Sequence, residues 1–274
     1  MRSPPASARV QAHFEEIFEL WDELNHFGMH ESHEAMKLCM ERICMWLGAR
    51  DALWVGIVRF LKGAAGEKDG LCGWRIRAIA PLRPQYHDAR NYQKVVKTGY
   101  PDMHPDPGAT NIALAGSAGA FRAYTLMSGD LVDLNSFRQT EHYDFYYRQP
   151  GIYDRIWVGF PVNADTESIF CFDRIAEERP FNQEELDLAA FVLRGIKWFH
   201  RQLLLSHGLG LCENPLTQAE HRVIRLLLSG MPERTIAAEL GLSQGTAHQY
   251  ATRIYRKFGV RGRTEFTALW LQGT

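Results

Sequence analysis

The residues with the most legible chemistry lie near the C-terminal end, where His248, Gln249, Thr252, Arg253 and Arg256 recur at steps that place them on one face of a helix. Their chemistry is hydrogen bonding and charge, with no nucleophile among them. A glutamine can bond an adenine edge through two hydrogen bonds, a threonine offers a hydroxyl and a methyl, and arginines reach guanine or phosphate. Ser243, Thr246 and Lys257 extend the set. The DNA-contacting candidates are thus Ser243, Thr246, His248, Gln249, Thr252, Arg253, Arg256 and Lys257, around a helix-turn-helix at about residues 233–252. Ala247, Ala251, Ile254 and Phe258 fall on the other face, small near its start where another helix must approach closely.

The elements that must hold this face are written in local signals. Thr217 and Glu220 form a capping box, followed by Val223, Ile224, Leu227 and Leu228 at helical spacing. Gly230 ends that helix, and Pro232 starts the next where a missing N–H costs little. Ile236, Ala237 and Leu240 give the second helix its inner face, and Gly241 can take the positive φ of a tight turn. Leu242 plugs the corner, and Ser243 caps a third helix running to about Phe258. A helix, a glycine-containing turn and a second helix form the motif that sets its later helix in the major groove.

Leu216-Thr217-x-x-Glu220, Ile236-Ala237-x-x-Leu240-Gly241-Leu242-Ser243-x-x-Thr246 and Ile254-Tyr255-Arg256-Lys257-Phe258-Gly259-Val260 agree in order and spacing with the LuxR-type (NarL/FixJ-like) helix-turn-helix family, which this segment resembles over roughly 55 residues. The resemblance implies a four-helix domain whose last helix, about Arg263 to Gln272, often helps two copies dimerise on a two-fold DNA site. Leu269 and Trp270 are the dimerisation candidates, with Phe266 assigned to the core and Trp270 open to either role. Three positions depart from the family pattern: Pro232 replaces a common capping serine, Gly245 a polar residue and Tyr250 a histidine. Gly245 loosens the first turn of the third helix, so the departures bear on the exact operator.

Charge divides the chain in the same way. From residue 215 onward eight basic side chains face four acidic ones, while the preceding 214 residues carry 23 basic and 28 acidic, so only the C-terminal end is suited to a polyanion. At 274 residues, 46% hydrophobic and 23% charged, the chain suits two folded domains without disordered composition. Cys39, Cys44, Cys72, Cys171 and Cys212 form no Cys-x-x-Cys pair, which argues against a zinc finger or a disulfide framework and for core positions or free thiols. Nothing resembles a signal core or a membrane span, so the expected location is cytoplasmic.

In the first two hundred residues, helical periodicity marks Phe14 to about His26 and His33 to about Trp46. Strand formers at 52–60 and 74–79 flank a glycine-rich turn at 62–73, and a second hairpin pairs 155–162 with 168–172. Prolines mark a loop between them, and Asn111 to Ala118 reads as a short helix. Asn182-x-x-Glu185 caps a long helix expected from Gln183 to about Ser206, a signal-carrying connector, with a hinge at 207–214. This order of elements, with Phe181-Asn182-x-Glu184-Glu185, resembles GAF-like sensor domains and equally the autoinducer-binding domains of LuxR-type regulators. Trp54, Tyr100 and Asp106 are available for an acyl-homoserine-lactone set, but their spacing does not match one. The resemblance implies a cavity beside the sheet, with Trp54, Trp74, Phe121, Tyr124, Trp157 and Phe170 as candidate walls or, alternatively, as filled core.

The expected architecture is an α+β N-terminal sensor domain, an antiparallel sheet with flanking helices, followed by an all-α four-helix helix-turn-helix domain. Its divisions are a flexible N-terminus at 1–10, the sensor at 11–206, a linker at 207–214 and the DNA-binding domain at 215–274. His26, His30 and His33 with Glu31 and Glu34 are weighed as a metal site and set aside, because Gly28 interrupts the helix that would align them, in favour of a solvated interhelical loop. The segment 141–148, dense in polar aromatics, is weighed as a ligand lip or acid–base site and lacks a partner nucleophile or oxyanion motif. No phosphate-cradling glycine loop is present, and a chain opening with helices does not suit a phosphoacceptor receiver. The expectation is a transcriptional regulator that binds double-stranded DNA as a homodimer, responds to a small-molecule effector and can contact RNA polymerase, with no cofactor, metal, catalytic residue or membrane. Constitutive DNA binding, with the N-terminal domain only a dimerisation or docking module, is the alternative, and an enzyme fused to a DNA-binding domain a third.

Overall fold

A computed structural model describes residues 7–60, 73–86, 96, 119–128, 133–175, 179–209 and 216–271. Five strands, β1 (Asp51–Arg59), β2 (Trp74–Pro81), β3 (Arg122–Thr125), β4 (Ile152–Asn163) and β5 (Thr166–Ile175), form one sheet in the order β2-β1-β5-β4-β3. Every neighbouring pair is antiparallel. The two expected hairpins are present and meet through β1 and β5, Trp54 opposite Phe170. The expected glycine-rich turn, Tyr100, Asp106 and the segment 111–118 lie outside the described residues apart from Gly73.

Helices α1 (Ala8–Ala12), α2 (Phe14–His26), α3 (Ser32–Leu47), α4 (Gln183–Gly195) and α5 (Lys197–Ser206) accompany the sheet. Strand alternation sends Ala52, Trp54, Ile156, Val158, Phe170 and Phe172 into the core shared with these helices. The intervening Leu53, Val55, Trp157, Ile169 and Cys171 build a second cluster on the opposite face, with Phe137 and Tyr147 from the helical turns between β3 and β4. The N-terminal unit therefore has an inner, helix-covered face and an outer, aromatic one.

Three boundaries differ from the sequence reading. Residues 8–10, expected in a flexible N-terminus, belong to α1, because Val10 is buried and Arg9 donates to the Trp46 carbonyl at 2.6 Å. The expected single helix from Gln183 to Ser206 is broken at Ile196. Trp21 Nε1 donates to the Val192 carbonyl at 3.2 Å, the acceptor Ile196 N–H would use in a continuous helix, and Ile196 N–H turns instead to Leu193. Gly195 lets the Trp21 ring lie against the backbone where any Cβ would overlap it. The first residues of the expected linker are packed structure: Leu209 is buried in the sensor core and its N–H caps α5 on Leu204, while 210–214 lie outside the described residues.

A buried carboxylate fixes the start of α4. Glu185 caps the helix with Asn182 and receives Arg174 at 2.9 Å and Arg179 at 2.6 Å. Burial opposes its charge, but hydrogen bonds from Arg179, Arg174 and the Asn182 backbone prevail and hold its carboxyl down at about 2.

The C-terminal unit has four helices, α6 (Gln218–Leu228), α7 (Glu233–Glu239), α8 (Gln244–Lys257) and α9 (Arg263–Leu271). Val223, Ile224, Leu227, Ile236, Ala251, Ile254, Phe258 and Phe266 form its core, joined by Leu205 from α5. Arg225 reaches across to Glu34 at 2.7 Å, and the His207 and His221 rings meet edge to face at 5.1 Å. Among the described residues no helix is long and apolar enough to cross a membrane.

Candidate nucleic-acid interface and sensor faces

The capping chemistry read from the sequence sets α8 in place. Thr217 Oγ1 accepts from Glu220 N–H while Glu220 accepts from Thr217 N–H, closing the box at the start of α6. Gly241 takes φ 63° at the turn, a backbone state costly for residues with a Cβ. Ser243 Oγ then accepts from Thr246 N–H at 3.1 Å and lies 2.8 Å from the Thr246 hydroxyl. Those two side chains are therefore engaged in the cap itself. Ala247, Ala251 and Ile254 anchor the inner face.

On the outer face His248, Gln249, Thr252, Arg253 and Arg256 are exposed and line one shallow hollow of about 320 Å³. His248 Nδ1 lies 2.9 Å from Glu233 Oε2, bridging α8 to α7, and the Arg253 guanidinium sits 5.8 Å from the Tyr250 ring. The other polar tips of this face point outward from a rigid helix, as groove reading needs. Lys257 differs from its expected place: its Nζ donates to Glu220 Oε2 at 2.8 Å, and Glu220 is buried. Burial raises the Glu220 carboxyl, but hydrogen bonds from Lys257 and Thr217 outweigh it and hold it below its ordinary value. Trp270 is likewise a core residue, 5.0 Å from Phe266 and 5.9 Å from Phe258, and not an exposed dimerisation contact; Leu269 is half-buried. The reading of the sequence missed Arg263, whose guanidinium donates to the carbonyls of Met231 and Leu227 and closes the C-terminal end of α6. An arginine at the start of a helix gives no local hint of such a distant partner.

The six aromatic candidates of the N-terminal unit do not share one chamber. Trp54 and Phe170 are buried on the inner face, and Phe121 packs against the same cluster. Trp74, Tyr124 and Trp157 are buried on the outer face, where Tyr124 stacks on Trp157 at 5.2 Å. On the inner face the polar groups beside Trp54 are paired. Trp54 Nε1 donates to Ser168 Oγ at 2.8 Å, and His200 bridges the same hydroxyl and the Leu193 carbonyl, each at 2.8 Å. Since the carbonyl can only accept, His200 carries its proton on Nε2 and takes the Ser168 proton on Nδ1. Burial pulls the His200 imidazole down to about 4, in keeping with a neutral ring.

The outer face is less complete. Tyr124 is 7% exposed, and its hydroxyl makes no well-formed hydrogen bond, with the Arg122 guanidinium as its polar neighbour. Nearby, Arg155 and Asp173 form a buried two-point ion pair at 2.5 and 2.7 Å, with the guanidinium 5.0 Å from the Tyr147 ring. Tyr147, from the segment weighed as a ligand lip, is buried here.

Of the histidines weighed as metal ligands, His30 and His33 line a cleft of about 250 Å³ against His207, His221 and Arg222. They face the C-terminal unit and are not in an open loop. Among the described residues no group of three His, Cys, Asp or Glu side chains is disposed to hold a metal. Cys39, Cys44 and Cys171 are buried free thiols; Cys72 and Cys212 lie outside the described residues.

Residues 214–270 match the luxR family of bacterial regulatory proteins, and the C-terminal unit is a helix-turn-helix domain of that family. The segment is 40% identical over 57 residues to the uncharacterized transcriptional regulatory protein YvfU of Bacillus subtilis, covering 21% of this chain and 28% of that protein. It is 38% identical over 61 residues to the transcriptional regulatory protein UhpA of Escherichia coli, covering 22% of this chain and 31% of that one. The chain thus spans less than a third of the length of these curated relatives. The structure of SdiA in complex with octanoyl-rac-glycerol is similar at 13% identity and a TM-score of 0.44, over 98% of this chain and 96% of that one.

Proposed function

We propose that this chain is a sequence-specific DNA-binding transcriptional regulator, acting as a cytoplasmic dimer and controlled by a small molecule bound in its N-terminal domain. The observation that carries the DNA-binding reading is the exposed row of Gln249, Thr252, Arg253 and Arg256 on a capped, core-anchored helix of a luxR-family domain. Gln249 and Thr252 read base edges, while Arg253 and Arg256 reach guanine or phosphate.

The small molecule sits against the outer face of the sheet, beside Trp74, Tyr124 and Trp157. The buried Tyr124 hydroxyl, without a well-formed hydrogen bond and with only the Arg122 guanidinium beside it, supports that choice, because such a group costs free energy until something bonds it better. Control requires the effector to favour one arrangement of the two domains by its difference in affinity for them.

Constitutive DNA binding is the second reading, and the packing of the inner face around Trp54 favours it: Trp54, Ser168 and His200 satisfy one another there. Selection of retained sequences from a random duplex pool at near-physiological salt tests DNA reading; enrichment of a two-fold site is expected. Retention without enrichment counts against sequence specificity. Screening compounds for one that both raises the melting temperature and shifts affinity for that site separates the two readings.

A further inference from the structure

We propose that the cleft between the N-terminal unit and the helix-turn-helix domain binds a small organic acid, with its apolar body on Met29, Ile224 and Leu228 and its anionic group on Arg222, His30 and His33. The site is separate from the effector site on the outer face of the sheet, and a ligand bound in it holds the two units together.

The cleft, of about 250 Å³, is lined by the turn Met29–Glu31 and the first turn of α3, by the end of α5 and by α6, so both units build it. Ile224 and Leu228 are buried and Met29 packs against the same core, which gives it an apolar floor. A cavity of about 150 Å³ lined by apolar side chains takes benzene, so this one has space for a ring and the acid group it carries.

The charge of its walls is one-sided. Among the described residues the side chains of Arg222, His30 and His33 make no hydrogen bond or ion pair, and Arg222 and His33 are exposed. The carboxylates on the same elements are engaged elsewhere. Glu31 accepts from the Gly28 N–H at 2.8 Å, Glu34 pairs with Arg225 at 2.7 Å, and Glu220 pairs with Lys257 at 2.8 Å.

The two inner imidazoles have their donors committed. His207 Nδ1 donates to the Leu203 carbonyl at 2.9 Å, and its ring lies 4.6 Å from that of Trp54 and 5.1 Å from that of His221. His221 in turn donates to the Ser206 carbonyl. Burial, and after it the neighbouring His221, hold the His207 ring down at about 3, and burial lowers His221. With these two rings uncharged, one guanidinium and two imidazoles remain around the cleft without a counter-charge. An anion among them is bonded by Arg222 and favours the protonated form of each imidazole it touches, so binding takes up protons and tightens as the pH falls.

The test is calorimetric titration of the full chain, at one ionic strength set with chloride, with benzoate, phenyl phosphate, benzyl alcohol and inorganic phosphate. Benzoate and phenyl phosphate are expected to saturate one site per chain. Benzyl alcohol and inorganic phosphate, each lacking half of what the cleft recognises, should bind about tenfold more weakly or less. Benzoate should bind about threefold or more tightly at pH 6 than at pH 8, and His30→Gln with His33→Gln should flatten that difference. Arg222→Ala, at an exposed side chain without a partner, should keep the parent's melting temperature and lose about tenfold in affinity. Arg256→Ala, on the exposed face of α8, should bind the acids like the parent. No saturable binding of either acid, benzyl alcohol bound as tightly as benzoate, Arg222→Ala binding like the parent, or equal benzoate affinity at the two pH values overturns the proposal. Loss of acid binding in Arg256→Ala overturns it too, by placing the acids on α8. Duplex retention is scored separately, so failure of DNA reading and failure of this site give different results.

Discussion

Lys257 Nζ and Glu220 Oε2, 2.8 Å apart, tie the last turn of α8 to the first turn of α6. A cation expected to face phosphate is instead the counter-charge of a buried cap. The two basic neighbours at this end of α8 should therefore behave differently, Arg256 being exposed and Lys257 engaged. Lys257→Ala is expected to cost about 1–3 kcal/mol of stability by leaving a buried carboxylate short of a partner. It should leave the salt dependence of DNA binding nearly unchanged. Arg256→Ala should leave stability alone, weaken binding to all sequences and flatten the salt slope by about one. Urea melts and titrations at several salt concentrations distinguish them; equal loss of slope in both variants would mean the Lys257–Glu220 pair opens on DNA.

Gln249 and Thr252 occupy the exposed centre of the same face. Alanine at either position should alter which bases are selected at particular positions of the site, with discrimination falling by about 1–3 kcal/mol per lost base contact. Sequencing of retained duplexes reads this directly. Unchanged preference and affinity for Gln249→Ala would show that α8 presents a different face to DNA.

What was legible in the sequence follows the range of the interactions. The capping box of Thr217 and Glu220, the Gly241 turn and the Ser243 cap act within a few residues, so their order alone specifies the C-terminal helices. In the N-terminal unit the two hairpins were legible for the same reason. Which face Trp54 or Trp157 occupies was not, because it depends on the register of β1 and β4 on β5, more than a hundred residues from β1. The break at Ile196 depends on Trp21, 171 residues from the carbonyl it takes. The pairing of Lys257 with Glu220 was not legible, because nothing nearby in the chain announces it.

His200 makes the inner face sensitive to acid. Its buried ring is held at about 4, against 6.5 for an exposed imidazole, so the unfolded chain takes up the proton first. Stability is therefore expected to be intact above about pH 6.5 and to fall as the pH drops towards about 4, by about 3 kcal/mol from this group alone. Denaturation across that range should show the slope in the parent chain and a shallower one in His200→Leu, whose baseline is lower because Ser168 and the Leu193 carbonyl lose their partner. A ring signal typical of neutral, Nε2-protonated imidazole at pH 5 is the matching spectroscopic result. An imidazolium signal there would contradict the Trp54–Ser168–His200 arrangement.

Tyr124 offers the sharpest separation of the two readings of the sensor. Its ring stacks on Trp157 and is held by the outer cluster, so Tyr124→Phe keeps the packing and removes only the hydroxyl. A buried hydroxyl without a well-formed hydrogen bond is a cost that folding bears, and burial pushes its phenol well above the ordinary range although the neighbouring Arg122 guanidinium pulls it down. Without effector, Tyr124→Phe should therefore be as stable as the parent or more so, by up to about 1–3 kcal/mol. With an effector that bonds this hydroxyl, the order reverses: the parent gains melting temperature and the variant gains less. Phe170→Ala is the control from the inner face, expected to cost about 3–5 kcal/mol through the cavity it leaves while the residual response to effector stays the same. If Tyr124→Phe destabilises the effector-free chain, the hydroxyl already has a partner and the outer face is filled core, which leaves constitutive DNA binding as the better account.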